Sequence, residues 1–466
     1  MSEHTKKKDN LSRNAAIYTI GNFFNQATAI LASPIFTRLL STHEYGHVTV
    51  YTTWVGFFTI FTSLELDGSL ANAYIDYGER KYKAYAKSCI SLSTFTTFLL
   101  ILVSILFQKE METIFDLSYG LLMVAILHSF FNGNILYLTR YLSLLKKALP
   151  YVLISFGQLI LNIFLSIIFI VYSDWNPAIS RIYGQFLASA ILGIIVLIMF
   201  LWNKEKIIDI RYFRYGILLS IPLIFHAIGG IILSGSDKLM LSRLADNSMT
   251  GLYSFSVTVT SVIYVVSTSF NVAWVPYLYE MLKKQQTVKL LERTKRYLGC
   301  YTFVSCGFLL VMPEAVKILA SKSYWDCIPL VIPLTVGEFF RFIYFFPVNY
   351  EFYNKKNQWI ALATTVTGII NVVLNFLWIP SWGMYGAALA TLISYILCFV
   401  FHEIVVRRFI GGFYVKAKLY VKYMLILVLT SIVSWMFLDS IMLRWMAACV
   451  YGGILLKRIL KDKELF

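Results

Sequence analysis

Long apolar runs alternate with short polar joints along almost the whole chain. The runs lie near 14–40, 45–66, 86–107, 114–139, 149–172, 178–202, 216–236, 251–276, 297–319, 326–350, 359–379, 384–406, 419–438 and 441–457. Runs of twenty or so apolar residues are long enough to cross roughly 30 Å of hydrocarbon as helices. The pattern therefore predicts an all-α integral membrane protein of about fourteen transmembrane helices, with almost nothing outside the bilayer. Residues 1–13 form a polar, basic N-terminal tail. The run that follows, Asn14 to Leu40, is too long for the h-region of a signal peptide and reads as a retained first helix.

Composition agrees with that reading. Of the 466 residues, 58% are hydrophobic and 14% charged, against roughly 45–50% and 25% in a soluble domain. The formal charge of +16 raises the question of a nucleic-acid partner, and the layout of the charge answers it. With the N-terminal tail taken as cytoplasmic, 32 of the 41 Lys and Arg fall on the cytoplasmic side and 8 on the outer side, with Arg341 alone deep in a helix. A bias alternating loop by loop is what the positive-inside rule requires. The expectation is a multi-pass membrane protein with both termini cytoplasmic and no nucleic acid involved. Six scattered cysteines have no metal-ligand spacing and no disulfide framework. The outer loops are too short for a catalytic domain.

The chain also repeats itself. Thr37-Arg38-Leu39-Leu40 with Gly46 recurs as Ser242-Arg243-Leu244-Ala245 with Gly251. Tyr183-Gly184 with Leu187-Ala188-Ser189 recurs as Tyr385-Gly386 with Leu389-Ala390-Thr391, and Asn162 and Ser166 align with Asn371 and Asn375. The unit spans six helices, an even number. Its copies therefore share one orientation and relate by a pseudo-two-fold axis along the membrane normal, with substrate handled at their interface. The expected division is a six-helix bundle at 14–202, a cytoplasmic linker at 203–215, a second bundle at 216–406, two additional helices at 417–458 and a tail at 459–466.

Several of these segments resemble a known family. Ser33-Pro34-Ile35-Phe36-Thr37-Arg38-Leu39-Leu40-Ser41 followed by Glu44-Tyr45-Gly46 is similar to the polysaccharide-biosynthesis (Wzx-type) flippases of the multidrug/oligosaccharidyl-lipid/polysaccharide exporter superfamily. So are Asp237-Lys238 with Gly251-Leu252-Tyr253, Phe270 to Pro276, and Asn371 to Thr391. The resemblance implies two six-helix bundles in a V around a central cavity, plus two extra helices. It also implies flipping of undecaprenyl-diphosphate-linked repeat units for capsule, exopolysaccharide or O-antigen synthesis. The partners implied are the lipid-linked oligosaccharide, membrane lipids and other polysaccharide-assembly proteins. Rival readings are a cation-coupled small-molecule antiporter of the same superfamily and a membrane polysaccharide polymerase or ligase.

Polar groups at membrane depth are costly, so each is a candidate site. Glu338 falls near the middle of its apolar run, and Arg341 lies three residues on, on the same helix face. Arg341 can hold a substrate diphosphate bidentately, or the two residues form a structural pair. His128 and His226, also mid-helix, can take protons or be satisfied by neighbouring helices. Asn25 and Gln26 can face sugar hydroxyls or bond between helices. Arg140, at a cytoplasmic helix end, can attract the diphosphate or serve topology alone. The repeat-matched Arg38 and Arg243, with Asp237 and Lys238, are candidates for an interface anchor or an extracellular gate.

Two further patterns bear on chemistry. His43-Glu44-Tyr45-Gly46-His47 matches H-E-x-x-H, but zinc chemistry needs a continuous helix and a third ligand. The segment is expected to be a turn that binds no metal. There is no Walker A loop, so no ATP hydrolysis is expected. No cofactor is expected beyond a coupling ion, H⁺ or Na⁺.

Overall fold

The computed structural model describes residues 29–202, 209–412 and 415–461. Among these residues the secondary structure is helical throughout, with no strand. In chain order the first helices are α1 (Ala29–Leu39), α2 (Thr42–Ser63), α3 (Leu70–Leu106), α4 (Gln108–Phe115), α5 (Tyr119–Leu144), α6 (Ala148–Tyr172) and α7 (Pro177–Leu201). They are followed by α8 (Ile210–Leu244), α9 (Asn247–Lys283), α10 (Thr287–Leu319), α11 (Val331–Ile343), α12 (Phe345–Tyr353), α13 (Asn357–Val405), α14 (Ala417–Met436) and α15 (Ile441–Lys461). Ten of the described helical segments are long and apolar enough to cross a membrane. This is a multi-span, all-α membrane protein.

Two long elements each contain a break. A straight helix of 49 residues, at about 1.5 Å per residue, would be more than twice the hydrocarbon thickness. Instead α13 bends at Gly383, whose φ of 52° and ψ of −130° suit a residue without a Cβ. The apolar runs at 359–379 and 384–406 thus fall on either side of one kink. Gly78 (φ 66°, ψ 169°) similarly separates Leu70–Tyr77 from the membrane-length part of α3, Lys81–Leu106.

Local chemistry sets the helix starts. Asn176 caps α7 by accepting from the Ala178 N–H at 2.9 Å, with Pro177 in the first helical position, where its missing N–H costs nothing. Asp246 caps α9 by accepting from the Met249 N–H at 2.7 Å. At α2, Glu44 reaches back to accept from the Ser41 N–H at 2.7 Å, a capping box.

The chain folds into two compact units. Unit 1 comprises His47–Gly235, and unit 2 comprises Ala29–Gly46 with the chain from Ser236 on. Unit 1 is packed around Tyr82, Tyr85, Cys89, Tyr137, Tyr141 and Phe200. Unit 2 has the larger core, including Phe255, Trp274, Tyr301, Phe339 and Phe342. Many exposed positions are apolar, such as Phe225, Val272 and Ile195. Serines and threonines within helices mostly donate back along their own helix, as Thr59 does to the Val55 carbonyl at 2.8 Å.

Within unit 2 the repeat-matched glycines Gly46 and Gly251 meet. A Cβ on Gly251 would stand 2.0 Å from the Thr42 carbonyl oxygen, and one on Gly46 would stand 1.8 Å from that of Asn247. The starts of α2 and α9 therefore approach backbone to backbone, a packing that small residues permit between membrane helices. Gly251→Ala should lower stability by about 1–3 kcal/mol, the usual overpacking cost. Gly157→Ala, where a Cβ meets nothing within 4 Å, should change little. Thermal unfolding of the purified variants checks both.

Candidate functional site

In unit 2, α11 carries Glu338 and Arg341 one turn apart, and the helices on either side bring tyrosines to them. Arg341 Nη1 donates to Glu338 Oε1 at 3.3 Å. The guanidinium lies 4.1 Å from the Tyr264 ring centroid (α9) and 5.6 Å from that of Tyr395 (α13). Aromatic faces attract a cation and orient it without using its N–H donors. The Arg341 side chain is 27% exposed and that of Glu338 16%. The arginine is therefore neither sealed in a core nor free in solvent. Glu338 Oε2 is buried and unpartnered. A guanidinium has five donors, and the one carboxylate facing it takes a single long bond. This geometry offers spare, oriented donors to an anion.

Asp237 turns into the protein. It is 3% exposed, its Oδ2 accepting from the Tyr253 hydroxyl and from Thr391 Oγ1, the latter at 2.9 Å. Its Oδ1 is buried without a partner. Nearby, Asn371 Oδ1 accepts from Asn375 Nδ2 at 3.1 Å and from Ser236 Oγ at 3.4 Å. In unit 1 the matched positions Asn162 and Ser166 serve a cation instead. Arg181 Nη1 donates to Asn162 Oδ1 at 2.7 Å and to the Ser166 hydroxyl. The repeat-matched positions thus carry buried polar contacts in both units, to an arginine in unit 1 and between two asparagines in unit 2.

His128 is buried, with both ring nitrogens engaged: Nδ1 is 3.2 Å from the Tyr51 hydroxyl and Nε2 is 3.1 Å from Ser189 Oγ. It is a histidine satisfied by neighbouring helices. His226 differs, standing exposed in the middle of the Ile210–Ile232 span. Arg38 is exposed and donates to the Ile318 carbonyl at 2.9 Å and to that of Pro34. Beside it Thr37 Oγ1 donates to the Leu319 carbonyl at 2.9 Å and Ser321 Oγ to that of Thr37 at 2.7 Å, joining α1 to the end of α10. Arg243 is exposed near the end of α8 and Lys238 half-buried in it. Asn25 and Gln26 lie outside the described residues.

Arg140 is exposed near the end of α5 and close to Asp67, in the 3₁₀ turn between α2 and α3. In the same connection, burial first and the Asp67 charge second push the Glu65 carboxyl up to about 7. A carboxyl whose folded value is raised contributes stability below its unfolded value and loses it as pH rises through the folded one. The purified chain should therefore melt at progressively lower temperature between about pH 5 and 7, and Glu65→Gln should flatten that part of the profile.

One sequence expectation needs correction. His43–His47 is not a turn, because α2 begins at Thr42 and carries both histidines. Glu44 is committed to the capping box, and no group of three His, Cys, Asp or Glu comes together among the described residues. Besides Arg341, which the count along the chain leaves deep in a helix, two arginines near helix ends turn inward. Arg181 is buried, and Arg444 is fully buried with a bidentate bond to Glu314. Both look like outer-loop residues in a count along the chain, which cannot tell which way a long side chain folds. The only hint was that Asn162 and Ser166, the partners of Arg181, belong to the repeat.

Comparison with known proteins follows this architecture. An uncharacterized membrane protein of Haemophilus influenzae is 24% identical over 368 residues, covering 77% of this chain and 88% of the relative. A lipid II flippase MurJ in an inward closed conformation superposes with a TM-score of 0.73 at 15% identity, over 96% of this chain and all of that one. An inward-facing multidrug resistance MATE family transporter superposes with a TM-score of 0.60 at 13% identity, over 81% of this chain and 94% of that one. Residues 11–282 match the family described as polysaccharide biosynthesis protein. With more than half of its length matched, and in a fold shared with a lipid II flippase and a multidrug resistance transporter, the chain belongs to the polysaccharide biosynthesis protein family.

Proposed function

We propose that this protein flips undecaprenyl-diphosphate-linked oligosaccharide repeat units across the bacterial cytoplasmic membrane by alternating access, with both termini in the cytoplasm. The observation that carries the reading is Arg341, an intramembrane guanidinium steadied by Tyr264 and Tyr395, held by one carboxylate and still partly open. Such a group matches a diphosphate better than a neutral or cationic drug. The family's role in polysaccharide biosynthesis and the fold it shares with a lipid flippase support the same substrate class. Glu338, the carboxylate beside that guanidinium, pairs with Arg341, so this site suits an anion better than a cation exchanged by an antiporter. The flippase and the MATE family transporter that share the fold both support transport over polymerisation or ligation.

Deleting the gene tests this reading. Lipid-linked repeat units should accumulate on the leaflet where they are made, and a strain that still exports them at the normal rate would contradict it.

A further inference from the structure

A second titratable pair lies in unit 2, on α12 and the latter part of α13, and the flipping reading does not use it. Glu351 and His402 are 0% and 1% exposed, with His402 Nδ1 2.8 Å from Glu351 Oε1. Glu351 Oε2 is buried and has no hydrogen-bond partner. The Tyr344 ring stacks on the imidazole at 5.9 Å, and Cys398 lies beside it on α13. Glu403 adjoins His402 but pairs with Arg407 at 2.7 Å and is reached by Tyr420 of α14. On α11, Arg341 pairs with Glu338, and from α9 Tyr279 lies against Tyr353. Glu351 and His402 are thus left to neutralise each other.

This arrangement restricts the protonation states. With one shared proton the pair is neutral overall, either as carboxylate and imidazolium or as acid and imidazole. Losing that proton leaves a net negative charge in a buried setting, and adding one leaves a net positive charge. Both are strongly disfavoured while the site stays buried. The shared proton belongs to the pair rather than to either residue. It can pass from the imidazolium nitrogen to water, leaving neutral imidazole and hydronium, only when the packing opens and water enters. Proton exchange at this pair is therefore tied to a conformational change. Tyr344, whose ring covers His402, is three residues beyond Arg341, at the joint between α11 and α12, so movement at the headgroup residue bears directly on the cover.

We infer that Glu351 and His402 bind the proton whose movement drives transport, an inference that rests on the flippase reading. The test uses the full chain in vesicles carrying undecaprenyl diphosphate with a fluorescent oligosaccharide, with and without an imposed pH gradient. The readout is the ratio of the two flipping rates. It should be severalfold for the wild-type chain and should fall to unity for Glu351→Gln and for His402→Gln, whatever their absolute rates. A variant that keeps the wild-type ratio overturns the inference. If neither variant folds, a pH-sensitive dye with the wild-type chain decides. Roughly one proton should move per lipid flipped, as a pair holding one shared proton requires, and none would overturn the proposal. Wild-type flipping that ignores the gradient defeats this proposal alone, whereas no flipping under either condition defeats the flippase reading itself.

Discussion

The double variant Arg341→Ala, Glu338→Gln should fold, insert and lose flipping by roughly 100-fold. Holding a charge at membrane depth costs about 2.5–3.5 kcal/mol on insertion scales, so a buried arginine persists only where a partner or a function offsets it. Glu338 offsets part of the cost through a single bond at 3.3 Å, and two tyrosine faces add to it. Changing Glu338 to Gln at the same time avoids leaving an orphaned carboxylate, so the variant removes both ions together. A diphosphate loses two charge-assisted bonds with Arg341, each worth about 1.5–3 kcal/mol. At about 1.4 kcal/mol per tenfold, a loss of roughly 100-fold is the lower end of that range. Arg341→Lys should recover only part of the rate, because an ammonium lacks the planar fork. If Arg341 and Glu338 are only a structural pair, the folded double variant will transport at the wild-type rate. Flipping measured in vesicles, alongside the melting temperature of the same preparations, separates the two outcomes.

Arg444→Ala should be the most destabilising single change in the described chain. The side chain is fully buried and makes two bonds to Glu314 at 2.7 Å each, with further donations to the carbonyls of Phe437 and Leu310. It ties α15 and the end of α14 to α10. Removing one partner of a buried ion pair typically costs about 3–5 kcal/mol, because the remaining charge is left uncompensated. Arg444→Met combined with Glu314→Leu should restore most of the stability, since apolar replacement of both partners is often neutral. That rescued variant should also flip normally, which would mark the pair as a structural clamp. Thermal unfolding of the single and double variants measures the first effect. Persistent loss of flipping in a stable double variant would contradict the assignment.

The membrane class and the helices were legible in the sequence because lipid imposes one rule, a run of apolar residues of fixed length. Where the rule is local it worked well: the runs at 359–379 and 384–406 flank Gly383, and the repeat-matched Gly46 and Gly251 prove to touch. What sequence patterns could not supply was the direction and partners of side chains. Arg181 and Arg444 sit near helix ends, as interface anchors do, yet both turn inward. Asp237 was grouped with the exposed Arg243, but its carboxylate lies inside, between Tyr253 and Thr391. Glu351 and His402 are 51 residues apart and meet only because α12 packs against α13. Arg341 and Glu338 were visible because their pairing is local, at i and i+3, whereas the tyrosines that steady the guanidinium come from α9 and α13 and had no local signature.

The central claim is that this chain moves a lipid-linked sugar, and reconstituted flipping tests it most directly. Purified protein in vesicles should transfer undecaprenyl-diphosphate-linked oligosaccharide from one leaflet to the other, followed by the access of a membrane-impermeant glycosidase to the sugar. The account predicts transfer that requires both the protein and the diphosphate, and that the Arg341→Ala, Glu338→Gln variant lacks. If the wild-type chain leaves the sugar on its original leaflet while exchanging a small cationic compound for protons or Na⁺, the account is wrong and the chain is an antiporter.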